Sequence, residues 1–173
     1  FMLKRWILLA STFLFTLPSA TFAQPSLKDA FINHFLISAA LNPGHFTETD
    51  TIGSTLAKKH FNTITPENHM KWEMIHPRPD AGAAGYDFTN ADRYVEFGEK
   101  NGMFIIGHCL VWHSQTPRWV FQDADGKPLD RTALLARMRE HISTVVGRYK
   151  GRVHGWDVVN EALSDGGPEI LRD

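Results

Sequence analysis

Residues Met103–Trp119, MFIIGHCLVWHSQTPRW, join two kinds of sequence back to back. Met103 to Trp112 is an apolar run with β-branched and aromatic residues, the composition of a buried strand. From His108 onward, imidazole, indole and amide groups crowd in, as His108, Trp112, His113, Gln115 and Trp119. A strand that ends this way faces something other than packed core.

Three further strand-like runs flank it: Phe35 to Leu41, Phe61 to Pro66 and Val153 to Asn160. Helix-like stretches separate them. Arg131 to Tyr149 repeats Leu134, Leu135, Met138, Ile142, Val145, Val146 and Tyr149 at helical spacing, with Asp130 as the expected N-cap and Gly151 as the stop. Ala91 to Lys100 forms a second predicted helix, capped by Thr89 or Asn90 and ended by Asn101-Gly102. A third runs from about Thr51 to His60.

Strand and helix therefore alternate, which implies parallel strands joined by crossovers. Either an open doubly wound sheet or a closed (β/α)8 TIM barrel satisfies that order. Only NPGH, Asn42 to His45, follows the first strand, so no dinucleotide fingerprint favours the doubly wound sheet. Polar residues gather after each strand instead: PENHMKW from Pro66, the cluster after His108, and NEAL from Asn160. In barrels the C-terminal strand ends carry the active site. A complete barrel takes about 250 residues, so the expectation is the first four βα units only, residues 24–173 being the N-terminal half of a catalytic domain.

Composition is globular, at 43% hydrophobic and 21% charged residues. A net charge of −1 with no basic run argues against nucleic acid as a partner. At the N-terminus, Lys4-Arg5 precede the apolar run Trp6 to Leu17, and SATFA ends in small residues at Ala23. That is the layout of a signal peptide over residues 1–23, with Met2 as the start. The protein is then expected to be secreted or periplasmic, with no membrane segment in its mature form. Cys109 is the only cysteine and sits in an apolar run, which fits a buried, inert thiol.

The strand ends carry chemistry. Glu161 closes the fourth strand, where a shielded carboxylic acid can serve as a general acid. Its bland alternative is a solvated loop residue or a partner for Arg152. Asn160 beside it can donate to a substrate hydroxyl. Glu67, Asn68 and Lys71 supply an acceptor, an amide and a three-donor cation, a set suited to a neutral polyhydroxyl ligand. Trp72 could offer an apolar face to a sugar ring. Glu67 and Lys71 fit equally well as a surface pair at helical spacing. His108 and His113, five residues apart, point to opposite faces of a regular strand. No His-x-His or His-Glu-x-x-His pattern occurs, so no metal is expected, and no cofactor.

ENHMKW (Glu67 to Trp72), HCLVWHSQTPRW (His108 to Trp119) and WDVVNEAL (Trp156 to Leu163) together resemble three successive signatures of glycoside hydrolase family 10, the endo-1,4-β-xylanases. The similarity runs from about Leu36 to Asp165. It implies a (β/α)8 barrel and retaining hydrolysis of internal β-1,4 bonds of xylan or xylo-oligosaccharide by a monomer at full length. It makes Glu161 the acid/base and gives Asn160 the 2-hydroxyl of the sugar being cleaved. His108 and Lys71 would bind that sugar's hydroxyls, with Trp112 near its ring. Glu67, Asn68 and Gln115 would reach the next sugar on the non-reducing side, and His113 and Trp119 would support.

The family's nucleophile is a Glu at the end of strand seven. No residue here matches it, and Glu169 is not a candidate. The four units alone are therefore expected to be unstable or aggregation-prone and without hydrolase activity. A β-1,4-glucanase of the same barrel clan and a non-catalytic carbohydrate-binding barrel are the alternatives.

Overall fold

The computed structural model describes residues 24–79, 82–168 and 170–172. The expected signal peptide, residues 1–23, and Glu169 lie outside the described residues. Four strands form one sheet: β1 Ser38–Leu41, β2 Thr63–Pro66, β3 Phe104–Trp112 and β4 Gly155–Asn160. Among the described residues six α-helices accompany them: α1 Leu27–Ala30, α2 Pro43–Phe46, α3 Thr51–His60, α4 Trp72–Ile75, α5 Thr89–Lys100 and α6 Arg131–Arg148. None of the described helices is long and apolar enough to cross a membrane.

The strands run in the order β1-β2-β3-β4, each parallel to its neighbour. A doubly wound sheet reverses strand order at a switch point; these four strands do not. Chain order equal to spatial order is the winding of a (β/α)8 barrel, and four of its units are present.

Capping side chains open α3 and α6, as Ser26 opens α1 by accepting from the Asp29 N–H at 3.3 Å. Asp50 accepts from the Gly53 N–H at 2.9 Å and opens α3, and Asp130 accepts from the Ala133 N–H at 2.8 Å and opens α6. The start of α5 differs from expectation. The N-cap is Phe88, without a side-chain cap bond, and Thr89 is already helical. Asp87 takes over by accepting from the Thr89 N–H at 2.9 Å.

The core lies between the sheet and the helices, with Ile64, Met70, Ile75, Tyr94, Val95, Ile105 and Val145 fully buried. Tyr94 donates its hydroxyl to the carbonyls of Ile64 and Ile106, each at 2.8 Å, and so pins α5 to β2 and β3. Gly107 lets the Trp156 indole cross its backbone; a Cβ there would lie 2.2 Å from the ring. Helical periodicity misses one core position. His141 is fully buried on α6, whereas Leu135 is exposed. The helix is rotated so that His141 stacks on Trp72, with ring centres 3.9 Å apart and planes 7° from parallel.

Register aligns the strand ends that carry the site. Leu41 pairs with Pro66, and Trp112 pairs with Asn160. Pairing between β3 and β4 shifts between His108 and Val111. The segments after Pro66, Trp112 and Asn160 thus emerge on one rim.

Candidate active site

Two polar clusters meet on that rim. In the first, Lys71 donates its ammonium to Asn68 Oδ1 at 2.9 Å and to Gln115 Oε1 at 2.7 Å, while Gln115 Nε2–H donates to Asn68 Oδ1 at 3.3 Å. Lys71 is 8% exposed, so these bonds offset the loss of water around its charge. They also decide between the two readings of this stretch: the ammonium of Lys71 is directed at Asn68 and Gln115 rather than at a helical partner. Glu67 is exposed at the end of β2, its N–H bonded to the Leu41 carbonyl at 2.9 Å.

Backbone geometry presents Gln115 to the cluster. Its φ is 46°, in the left-handed region. The Glu73 N–H, in the first turn of α4, donates to the Gln115 carbonyl at 2.9 Å, and the next residue, Thr116, donates its hydroxyl to the Trp112 carbonyl at 2.7 Å. A short helix from one strand end therefore holds the loop from the next.

The second cluster centres on Glu161. Trp112 Nε1–H donates to Glu161 Oε2 at 2.8 Å, and His113 Nε2 lies 3.8 Å from the same oxygen. The two clusters are contiguous, because the Lys71 ammonium sits 4.6 Å from the centre of the Trp112 ring. Asn160, in register with Trp112, lines a cavity of about 300 Å³ beside the carboxylate, together with Trp112, His113, Glu161, Leu171 and Arg172. His108 Nδ1 and Asp157 Oδ2 lie 2.9 Å apart, four residues down β3 from Trp112.

Three expectations change. Trp72 does not face a sugar; it is 3% exposed, because α4 turns its indole into the gap over α6, between His141 and Trp119. Glu161 is not shielded, its side chain being 51% exposed, because the four described strands wall only one side of the lumen. Nor does it pair with Arg152, which binds Glu99 at 2.7 Å. Burial pushes the Cys109 thiol up to about 11, as an inert thiol requires.

Two residues were missed in the sequence. Asp157 sits opposite His108 only because of strand register; its period-two spacing from Val159 within WDVVNEAL was the available signal. Arg172, which reaches the Glu161 carbonyl at 3.2 Å, lies eleven positions on with no local signal.

Residues 26–173 match the family model for glycosyl hydrolase family 10. The chain belongs to glycosyl hydrolase family 10. Among relatives, a β-1,4-xylanase from Dictyoglomus thermophilum is 51% identical over 151 residues, covering 86% of this chain and 38% of the relative. Endo-1,4-β-xylanase A from Xylanibacter ruminicola is 46% identical over 156 residues, covering 89% and 41%. The chain thus spans about two-fifths of the length of these curated relatives. A solved structure of a Paenibacillus barcinonensis xylanase in complex with a conduramine derivative superposes with a TM-score of 0.76 at 45% identity, covering 86% of this chain and 43% of that one. An endo-1,4-β-xylanase from Caldicellulosiruptor owensensis gives 0.76 at 44% identity, with the same coverage. Both structures share the fold of this chain over less than half of their own length.

Proposed function

We propose that this family 10 chain is the acid/base-bearing half of a retaining endo-1,4-β-xylanase. The observation that carries the reading is the Glu161 carboxylate, held by Trp112 at 2.8 Å on the rim where Lys71, Asn68 and Gln115 also converge. The substrate comes from its relatives: the Dictyoglomus thermophilum and Xylanibacter ruminicola proteins are xylanases.

In this reading the sugar being cleaved lies over Trp112. Asn160 and His108 bond its hydroxyls, with Lys71. Asn68, Gln115 and Glu67 hold the next sugar toward the non-reducing end. Glu161 gives its proton to the departing glycosidic oxygen while a second carboxylate, about 5 Å away, attacks the anomeric carbon. Glu161, now ionised, takes a proton from the water that releases the glycosyl group. The second carboxylate is assigned to strand seven of the complete barrel. Four units without it are expected not to turn over xylan and to aggregate through the open edges of β1 and β4. Export through residues 1–23 and a monomeric, non-membrane mature protein belong to the same proposal.

Glu161→Ala in a protein carrying all eight units tests it. Xylan cleavage should collapse, aryl xylosides with good leaving groups should still form the glycosyl-enzyme, and azide should restore turnover. Equal xylan activity in mutant and parent would end the assignment.

A further inference from the structure

We propose that Arg172 is a positioning residue for Glu161, acting on its backbone rather than on its carboxylate. The inference rests on the acid/base reading above and adds to it the element that fixes the donor's direction.

Glu161 has φ 51°, a left-handed conformation that a non-glycine residue keeps only when its surroundings hold it. It directly follows β4, so the turn it makes sets where its side chain points. Its carboxylate is tied by Trp112 and approached by His113. Those contacts orient the head of the side chain and leave the backbone turn to other groups.

Arg172 supplies that hold. Its Nε–H donates to the Glu161 carbonyl at 3.2 Å, and one terminal nitrogen donates to the Leu163 carbonyl at 3.4 Å. The same nitrogen donates to Asp165 at 2.6 Å, which fixes the guanidinium plane. The backbone repeats the tie. The Arg172 N–H donates to the Ala162 carbonyl at 2.9 Å, the Ser164 N–H donates to the Ile170 carbonyl at 3.0 Å, and Leu163 and Leu171 form an antiparallel bridge. The chain after β4 folds back on itself and returns one fork-shaped cation to the residue where it left the strand. A lysine has no planar fork and cannot span two carbonyls and a carboxylate.

Among the described residues, the hydrogen bonds of the Arg172 side chain run to Glu161, Leu163 and Asp165 and none runs to Lys71, Asn68 or Gln115, although Arg172 lines the cavity beside Asn160. Loss of Arg172 should therefore weaken proton transfer more than substrate binding. Misplacement of a catalytic group by about 1 Å costs roughly a hundredfold, which sets the upper end of the effect.

The test uses the eight-unit enzyme and compares kcat/KM on xylan, where the leaving group needs a proton, with kcat/KM on an aryl xyloside whose leaving group needs none. For Arg172→Ala the expected loss is roughly ten- to a hundredfold on xylan and under about threefold on the aryl xyloside. Arg172→Lys should fall between parent and Ala with the same split. In a Glu161→Ala background, Arg172→Ala should add no further loss on xylan, because both act through one group. Equal losses on both substrates, or an undiminished rate on xylan, overturn the proposal. If Arg172→Ala fails to fold, Asp165→Asn, which frees the guanidinium, must show the split in smaller form or the proposal falls. Glu161→Ala alone keeps the two claims apart. If it shows no split, the acid/base reading fails; if it does and the Arg172 variants do not, only the role of Arg172 fails.

Discussion

Trp112 on β3 and Glu161 just past β4 share a hydrogen bond of 2.8 Å, indole N–H to carboxylate, across neighbouring strand ends. An indole can only donate, so the bond favours a carboxylate oxygen as acceptor and fixes which oxygen faces Trp112. Trp112→Phe keeps an aromatic surface and removes the donor. A catalytic group displaced by about 1 Å loses roughly a hundredfold in rate, so kcat/KM on xylan should fall about ten- to a hundredfold. An unchanged rate in steady-state assays would show that His113 alone suffices to orient Glu161.

Lys71 is the donor that joins Asn68 to Gln115. Lys71→Met fills similar volume but leaves two amide oxygens without that donor. Leaving a partly buried acceptor unsatisfied costs about 1–3 kcal/mol. Affinity for xylo-oligosaccharides should drop at least severalfold, read as a rise in KM or by calorimetry. Unchanged affinity would remove Lys71 from the sugar site.

His141 makes stability depend on pH. Burial, with His76 alongside, pushes it down to about 3, against an ordinary value of 6.5. The unfolded chain therefore binds a proton between about pH 6.5 and 3 that the folded chain refuses, and stability falls as pH drops through that window. The loss at the acid end is of order 5 kcal/mol. Thermal melts of His141→Phe in the eight-unit protein should fall less steeply between pH 6.5 and 4 than those of the parent. Parallel curves would assign the acid sensitivity elsewhere.

Gly107→Ala places a methyl 2.2 Å from the Trp156 ring, which must move. Overpacking of this kind costs about 1–3 kcal/mol, and a lowered Tm in calorimetry is the expected result. An unchanged Tm would mean that Trp156 has room to shift.

Strand and helix identities were legible because each rests on local composition. The run from Met103 to Trp112 is β3 almost to the residue, and Asp130 caps α6 as its side chain suggests. The polar residues that share one rim, after Pro66, Trp112 and Asn160, were legible as a set because polar groups collect at strand ends. Trp72 was misassigned because an indole beside Lys71 looks the same in sequence whether it faces the lumen or the helix layer. His141 was missed because a stacked imidazole breaks the apolar pattern it completes.

The sequence by itself determined the parallel, singly alternating architecture, the family, and the residue types at each strand end, since these depend on periodicity and on short motifs. Tertiary structure alone decided which of those residues touch. Strand register set His108 against Asp157 and Trp112 against Asn160, and the return of the chain after β4 brought Arg172 to the Glu161 carbonyl. Contacts between positions roughly ten to fifty apart are settled by pairing geometry and loop closure, which no local run of residues encodes.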